Sequence, residues 1–400
     1  MSPAEAVPAG LVETVLQEYL ADERVALTDL IATPIPGDGF SGNRLYRVRL
    51  SWAPGRQGAG PGSAAWVVKR WLPGGQGEAL LGVTRPLEAL AWEQGLLRRE
   101  VLPAGVVVPI IGAQLEAAGT SAWIVMEDVA AALDEYSRER RLSAPEALLR
   151  VKQVLDGLAR LHAWWERPEQ RARLRGCRWL VSAEQFLRVE TPAYAAALGK
   201  ASRGASTDGQ TATDELRADV RAFLDWLPAG DRSLWEDLLC DREPLVAAFR
   251  SFPPTLLHGD ADDRNIGLRW VTTDAAAAEG TGGAPEVVLI DWEWIGWGPP
   301  ALDFARVWGT FAAVCAPGSP LPAALSSAEL PDYYFERYMA AGGKLTDRAT
   351  WQRSYPLAAL AAALTQVAFF GRMVREEVKP VLAVLDRQME LLATAKRYLS

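Results

Sequence analysis

The sequence predicts an α+β fold, with a small strand-rich N-terminal part and a larger, mostly helical C-terminal part. Three observations predict it. Short apolar runs set off by glycine-, proline- and serine-rich turns occupy the first 125 or so residues. Helical spacing of leucine and valine takes over after Asp128. Strands and helices do not alternate as β–α units, which argues against a doubly wound sheet. At 400 residues the chain is long enough for two domains or one large one. The change of character places a boundary between residues 1–126 and 127–400.

Leu11, Val15, Leu16 and Leu20 recur at helical spacing, so an amphipathic helix opens the chain. Residues 25–35 read as a strand. The stretch GDGFSGNRLYRVRL places Gly37, Gly39 and Gly42 in a turn and Leu45, Tyr46, Val48 and Leu50 in a strand, together a hairpin. Residues 51–63, rich in Gly, Pro and Ser, read as a loop. AWVVKRW is the next strand and holds Lys69 near its end. A helix over 86–100 carries Glu88 and Glu93, and strands follow at 105–111 and 121–128.

Beyond that point a long helix is expected over 144–166, with Leu155, Leu158, Leu161 and His162 near one face. Residues 203–213 form a polar link. Helices follow at 214–227 and from there to about 250, with Pro228 and Gly230 between them. Two apolar runs then end in polar clusters, LLHGDADDRNIGL and VVLIDWEWIGWGPPALDFA, joined by an Ala/Gly-rich loop near 272–285. Helices fill about 301–314, 328–341, 350–376 and 379–398.

A net charge of −8 disfavours general nucleic-acid binding. Cys177, Cys240 and Cys315 stand far apart and in no metal spacing, and their odd number suits a reducing cytoplasm. The acidic N-terminus lacks the apolar core of a secretory signal. The longest apolar run, about 357–370, contains Thr365 and Gln366 and is too short for a bilayer, so it reads as a core helix and no membrane partner is expected. Two histidines without clustered cysteines make a zinc site unfavourable, and no Gly-x-Ser-x-Gly elbow occurs. His162, among leucines, reads as a satisfied, partly buried histidine.

The two polar clusters carry the chemistry. A loop with Asp260 and Asn265, followed after a strand by Asp291, offers one carboxylate to orient a hydroxyl and two hard oxygen donors of the kind Mg²⁺ prefers. His-Gly-Asp with Asn five residues on, then Ile-Asp-Trp-Glu, resembles the aminoglycoside phosphotransferase and choline kinase-like family, small-molecule cousins of protein kinases. The interior departs from the family's usual Leu-His-Pro-Gly and reads Ala261, Asp262, Asp263, Arg264. The resemblance implies a bilobal protein-kinase-like fold, with residues 1–126 as the nucleotide-binding lobe and 127–400 as the catalytic lobe. It implies Asp260 as the catalytic residue, Asn265 and Asp291 as Mg²⁺ ligands, and Asp303 and His258 as supports of the catalytic loop.

Further roles follow the same resemblance. Lys69, about 27 residues after the glycine turn, would reach the α/β-phosphates of ATP. Glu93 is the expected partner of Lys69, with Glu88 second. Ser41 and Asn43 in the glycine turn would touch phosphates or the loop, and main-chain groups from Met126 to Val129, including Glu127 and Val129, would meet the adenine edge. Asp262, Asp263 and Glu293, with Trp292, Trp294 and Trp297, are a candidate pocket for an ammonium-bearing acceptor; packing is the equal alternative, and the favoured one for Trp292 and Trp294. The expected activity is ATP- and Mg²⁺-dependent phosphorylation of a small-molecule hydroxyl, on an aminoglycoside or other cationic metabolite first, on a sugar or amino alcohol second. A non-catalytic nucleotide-binding regulator is the competing class. A protein kinase ranks low, because no Ala-Pro-Glu segment follows Asp291.

Overall fold

A computed structural model describes residues 7–36, 43–53, 61–73, 85–116, 119–137, 143–188, 191–200, 214–262, 264–271, 284–313, 329–377 and 394–399. The chain forms two compact units. One comprises Met1–Leu102, Val107–Ala132 and Val288–Glu293, the other Pro103–Val106, Leu133–Val287 and Trp294–Ser400. An antiparallel sheet dominates the first and helices dominate the second, so the architecture is α+β as the sequence predicts.

The first unit is built on a five-stranded sheet in the order 26–34, 44–53, 62–71, 122–127, 110–115. Alternation drives it. Tyr46, Val48 and Leu50 are buried while Arg47 and Arg49 are exposed, the period-two pattern of a half-buried strand. Val12, Val15 and Leu16 of the opening helix, Ala9–Leu20, pack on that face with Trp66, Val68, Trp123 and Val125. Each such side chain contributes about 1.5–3 kcal/mol on burial. Lys69 neighbours Val68 in its strand and so points to the other face. Its register partners are Leu45 on one side and Ile124 on the other.

The helix expected over 86–100 is shorter. It runs Leu87–Glu93, and a 3₁₀ turn follows at Arg99–Val101. Gly95, in the left-handed region at φ 72°, ends it, and the Leu96 N–H bonds back to the Ala91 carbonyl.

In the second unit, helix Ala144–Trp165 starts at a capping box between Ser143 and Glu146. It buries Val151, Val154, Leu155, Leu158, Leu161 and Trp165. The expected helix to residue 250 is two helices, Ala229–Cys240 and Glu243–Phe249. Pro244 has no N–H to continue the first, and Asp241 Oδ1 caps the second at the Glu243 N–H (2.9 Å). The helix expected over 350–376 is also two, Arg348–Thr365 and Val367–Arg375, bent by 64°. At the bend Thr365 Oγ1 donates to the Ala362 carbonyl (2.8 Å), a local bond that competes with the helical ladder. Among the described residues no single helix is long and apolar enough to cross a membrane; this bent pair meets the criterion only by length and composition, and Leu357–Leu364 are buried.

Strand Thr255–Leu257 pairs antiparallel with Gly296–Gly298, which pairs parallel with Val181–Ser182. This small sheet fixes where the chain leaves for the His258–Asn265 loop. The glycine turn 37–42 with Ser41, Asp263, the link 203–213, and most of the last expected helix lie outside the described residues.

Candidate functional site

Lys69 is the centre of a polar cluster in the first unit. It is almost fully buried, and its Nζ lies 2.8 Å from Glu88 Oε2, 2.6 Å from Asp291 Oδ1 and 2.6 Å from Glu293 Oε1. Strand 62–71 presents the lysine, the first turn of helix Leu87–Glu93 presents Glu88, and the chain after strand Ala284–Leu289 presents the two other acids. Glu88 also accepts from the Trp292 N–H at 3.4 Å, and Asn43 Nδ2 donates to Glu293. Burial pulls the Lys69 ammonium down, but Asp291, Glu293 and Glu88 outweigh it and hold its pKa well above the ordinary lysine value. Burial pushes the Glu293 carboxyl up to about 8, against Lys69 and with the help of Asp291 and Glu88.

The lysine's partner is therefore Glu88 and not Glu93. Glu93 lies five residues further along the helix, about 140° round its axis. Its carboxylate instead accepts from the Leu115 N–H (3.2 Å). Asp291 sits at φ 61°, left-handed backbone that a non-glycine residue adopts at a cost of about 1–3 kcal/mol. Its side chain is 38% exposed, against 1% for Glu88. The residue with left-handed backbone thus also carries the more exposed of these two carboxylates.

Glu127 and Val129 are placed more plainly. The Glu127 N–H donates to the Pro109 carbonyl (2.9 Å) and its side chain accepts from Tyr19 (3.3 Å). Val129 packs against Val107, Ala132 and Val288, and its carbonyl accepts from Ala132.

The second unit holds Asp260 and Asn265. Gly259 is at φ 84°, and a Cβ there would meet the Trp294 carbonyl oxygen at 2.2 Å, so the loop requires glycine. Asp303, buried in the first turn of helix Ala301–Ala313, accepts from the His258 N–H (2.7 Å), the Gly259 N–H (2.9 Å) and His162 Nε2 (3.1 Å). His258 Nδ1 accepts from the Asp260 N–H (3.2 Å), which makes this histidine a loop support. His162 is fully buried, with Tyr334 on its other nitrogen. Because Asp303 only accepts, the His162 Nε2 carries the proton and Nδ1 takes one from the Tyr334 hydroxyl. Burial first, then Tyr338, Asp303 and Glu166, hold that hydroxyl well above the usual tyrosine value, so it stays a donor.

Both oxygens of Asp260 are held. Asn265 Nδ2 donates to Oδ2 (2.9 Å) and to the Asp260 carbonyl (3.0 Å), which leaves Asn265 Oδ1 unspent in this contact. Arg306 Nη2 donates to Oδ1 (2.6 Å). Sequence reasoning missed Arg306. The signal was its position three residues after Asp303 on the helix behind the loop, hence on the same helix face.

The described residues among those expected to attract an ammonium have other partners. Asp262 is buried and accepts from the Arg264 backbone and guanidinium. Glu293 belongs to the Lys69 cluster. Trp292 is buried with its Nε1–H on the Leu289 carbonyl (3.1 Å), and Trp294 stacks on Phe186 (5.9 Å between centroids). Trp297 has the Arg171 guanidinium 6.0 Å from its ring. Near Asp260, Phe186, Leu257, Trp294, Leu302, Arg306 and Thr365 help line a cavity of about 50 Å³ in the second unit.

No protein-family model and no curated protein matches the chain. Among solved structures it is similar to a microcompartment-associated aminopropanol kinase, 14% identical over 96% of this chain and 97% of that chain, with a TM-score of 0.43. It is similar to a Plasmodium vivax ethanolamine kinase, 12% identical over 92% of this chain and 83% of that chain, TM-score 0.46. It is also similar to an aminoglycoside-3′-phosphotransferase of type VIII, 18% identical over 88% of this chain and 98% of that chain, TM-score 0.39. At such identities and scores the roles below stand on this chain's own residues.

Proposed function

We propose that the chain is an ATP-dependent, Mg²⁺-requiring kinase that phosphorylates a hydroxyl group of a small molecule. The observation that carries this reading is the buried Lys69 ammonium, held at once by Glu88 and Asp291. A lysine so held is a fixed positive charge for nucleotide phosphates, and the acid beside it is a metal ligand. Asp260, supported by Asn265 and by a loop anchored on Asp303, supplies the acceptor end of the chemistry.

In the reaction, the acceptor oxygen forms a bond to the γ-phosphorus and the bond from that phosphorus to the β–γ bridging oxygen breaks, releasing ADP. The acceptor proton passes to Asp260. A carboxylate suffices because this chemistry needs orientation more than a strong base. The residues fit Mg²⁺. Oxygens of Glu88, Asp291 and Glu293 lie within 4.8 Å of one another. With the Glu293 carboxyl pushed up to about 8, a divalent cation here would favour its ionised form and be held chiefly by the acid charge that the one ammonium does not offset. Asp291 and the Asn265 Oδ1 are the proposed ligands; a bound Mg²⁺ supplies charge neutralisation at the phosphates.

The acceptor class is left broad. The pairing of Asp262 with Arg264 and of Glu293 with Lys69 removes much of the ground for preferring a cationic acceptor. A neutral sugar stands level with an amino alcohol or an aminoglycoside. Mg-ATP consumption with a panel of all three classes tests the reading. Tight Mg-ATP binding without phosphorylation of any acceptor and without hydrolysis would favour a non-catalytic regulator.

Two outcomes are expected for the nucleotide end. Asp291→Ala should weaken Mg-ATP affinity by at least about tenfold, or about 1.4 kcal/mol, while metal-free ATP binding changes less. Calorimetry giving equal Mg-ATP affinity in variant and wild type would defeat that ligand role. Glu88→Gln should raise the ATP KM by about tenfold or more, and Glu93→Gln by less than about twofold. The reverse ranking would return Glu93 to the site.

A further inference from the structure

We propose that Arg306 is a positioning residue for the phosphoryl-transfer step, acting by fixing the Asp260 carboxylate. This inference rests on the kinase reading above. Helix Ala301–Ala313 grips the loop at two points one turn apart. Asp303 holds the backbone N–H groups of His258 and Gly259, and Arg306 holds the side chain of the next residue. One rigid element therefore sets both the path of the loop and the direction of its carboxylate.

The carboxylate has little freedom left. Arg306 donates to Oδ1 and Asn265 to Oδ2, so rotation about the Cβ–Cγ bond of Asp260 breaks both bonds together. Each carboxylate oxygen can accept more than one hydrogen bond, so these two contacts do not by themselves bar an acceptor hydroxyl. The clamp orients the base without consuming it. The guanidinium is fixed in turn, with Nη1 3.4 Å from Thr365 Oγ1 at the bend between helices Arg348–Thr365 and Val367–Arg375.

A surface ion pair would carry no such argument, because exposed pairs contribute little and exchange with water. This pair is shielded: the side chains are 23% and 17% exposed, and Arg306 helps line a cavity otherwise walled largely by Phe186, Trp294, Leu302 and alanines. Such surroundings strengthen a charge-assisted hydrogen bond and hold its geometry. A misplaced catalytic group loses rate while the nucleotide, which Arg306 does not serve, binds as before.

The test is a double-mutant cycle on full-length protein. The readouts are phosphorylation of whichever acceptor the panel finds, and acceptor-free hydrolysis of Mg-ATP with water in the acceptor's place. Arg306→Met should lower kcat by about ten- to a hundredfold with Mg-ATP affinity unchanged by calorimetry. Arg306→Lys, which keeps one charged donor, should recover part of that loss and serves as the second variant should the methionine protein not fold. In an Asp260→Asn background, the Arg306 substitution should cost little more, because its effect passes through Asp260. Wild-type kcat in folded Arg306→Met and Arg306→Lys, or a full additional loss in the Asp260→Asn background, would overturn the inference alone. Wild-type protein that neither binds nor hydrolyses Mg-ATP would overturn the kinase reading, and this inference with it.

Discussion

Asp260→Asn should lower phosphoryl transfer by two or more orders of magnitude while leaving Mg-ATP binding nearly intact. The size is that of general-base effects, about 10²–10⁴-fold. The substitution is well matched to the geometry. An amide is close in shape to the carboxylate, and its oxygen can still accept from Arg306; its NH₂ gives up the bond from Asn265 Nδ2, while the anchoring of the loop on Asp303 is untouched. What is lost is the capacity to take the acceptor proton and the negative charge that Arg306 and Asn265 hold in place. Single-turnover measurements with saturating Mg-ATP isolate this step from product release. Turnover within about twofold of wild type in a folded variant would remove Asp260 from the mechanism and leave it as an anchor for Arg306.

Much of this arrangement was legible in the sequence, for a physical reason. His258-Gly259-Asp260 and Asn265 lie in a short loop, where residue type and spacing almost determine position. Gly259 is needed because its backbone is left-handed and runs against the Trp294 carbonyl, and a one-letter reading captures that kind of constraint. Lys69 was legible from its place near the end of a strand about 27 residues after the glycine turn, read with the family resemblance; strand alternation accounts for the face it takes. Glu88 and Glu93 were not separable in this way. Both are acids on one short helix, and the choice depends on where the helix begins and how it is rotated against the sheet. The actual start at Leu87 and stop at Gly95 put Glu88 among the buried residues of the first turn.

Arg306 was missed, and the acidic pocket stood level with packing, for a different reason. A charged residue in a sequence does not show whether it meets solvent, a ligand or another charge. Asp262 and Glu293 looked like attractants for a cation, yet each already has one, Arg264 and Lys69. The helical bend at Gln366 was likewise hidden in an unbroken apolar pattern, because the disrupting feature is one hydroxyl turned back on a carbonyl. Tertiary partners settle the first two cases and a local side-chain bond marks the third; no apolar periodicity encodes any of them.

Asp303→Ala should destabilise the protein by about 3–5 kcal/mol, because it removes the acceptor from a buried polar network. The carboxylate satisfies the N–H groups of His258 and Gly259 and the Nε2–H of His162. Without it those donors are buried with no replacement, and Tyr334 beyond His162 loses the group that fixes its partner's tautomer. Asp303→Asn should cost less, since one oxygen remains. Acid should then separate charge from shape. Burial raises the Asp303 carboxyl, but the hydrogen bonds from His162 and from the Gly259 N–H, with the His162 and His258 rings beside it, outweigh it and leave its pKa below the ordinary aspartate value. A depressed pKa contributes stability that is complete above the unfolded value, about 4, and disappears as pH falls through the lower folded value. The stability gap between wild type and Asp303→Asn should therefore be constant from about pH 5 to 8 and close progressively below about pH 4. Urea denaturation across that range measures it. A gap that persists undiminished in acid would mean that the oxygen's position, and not its charge, holds the catalytic loop.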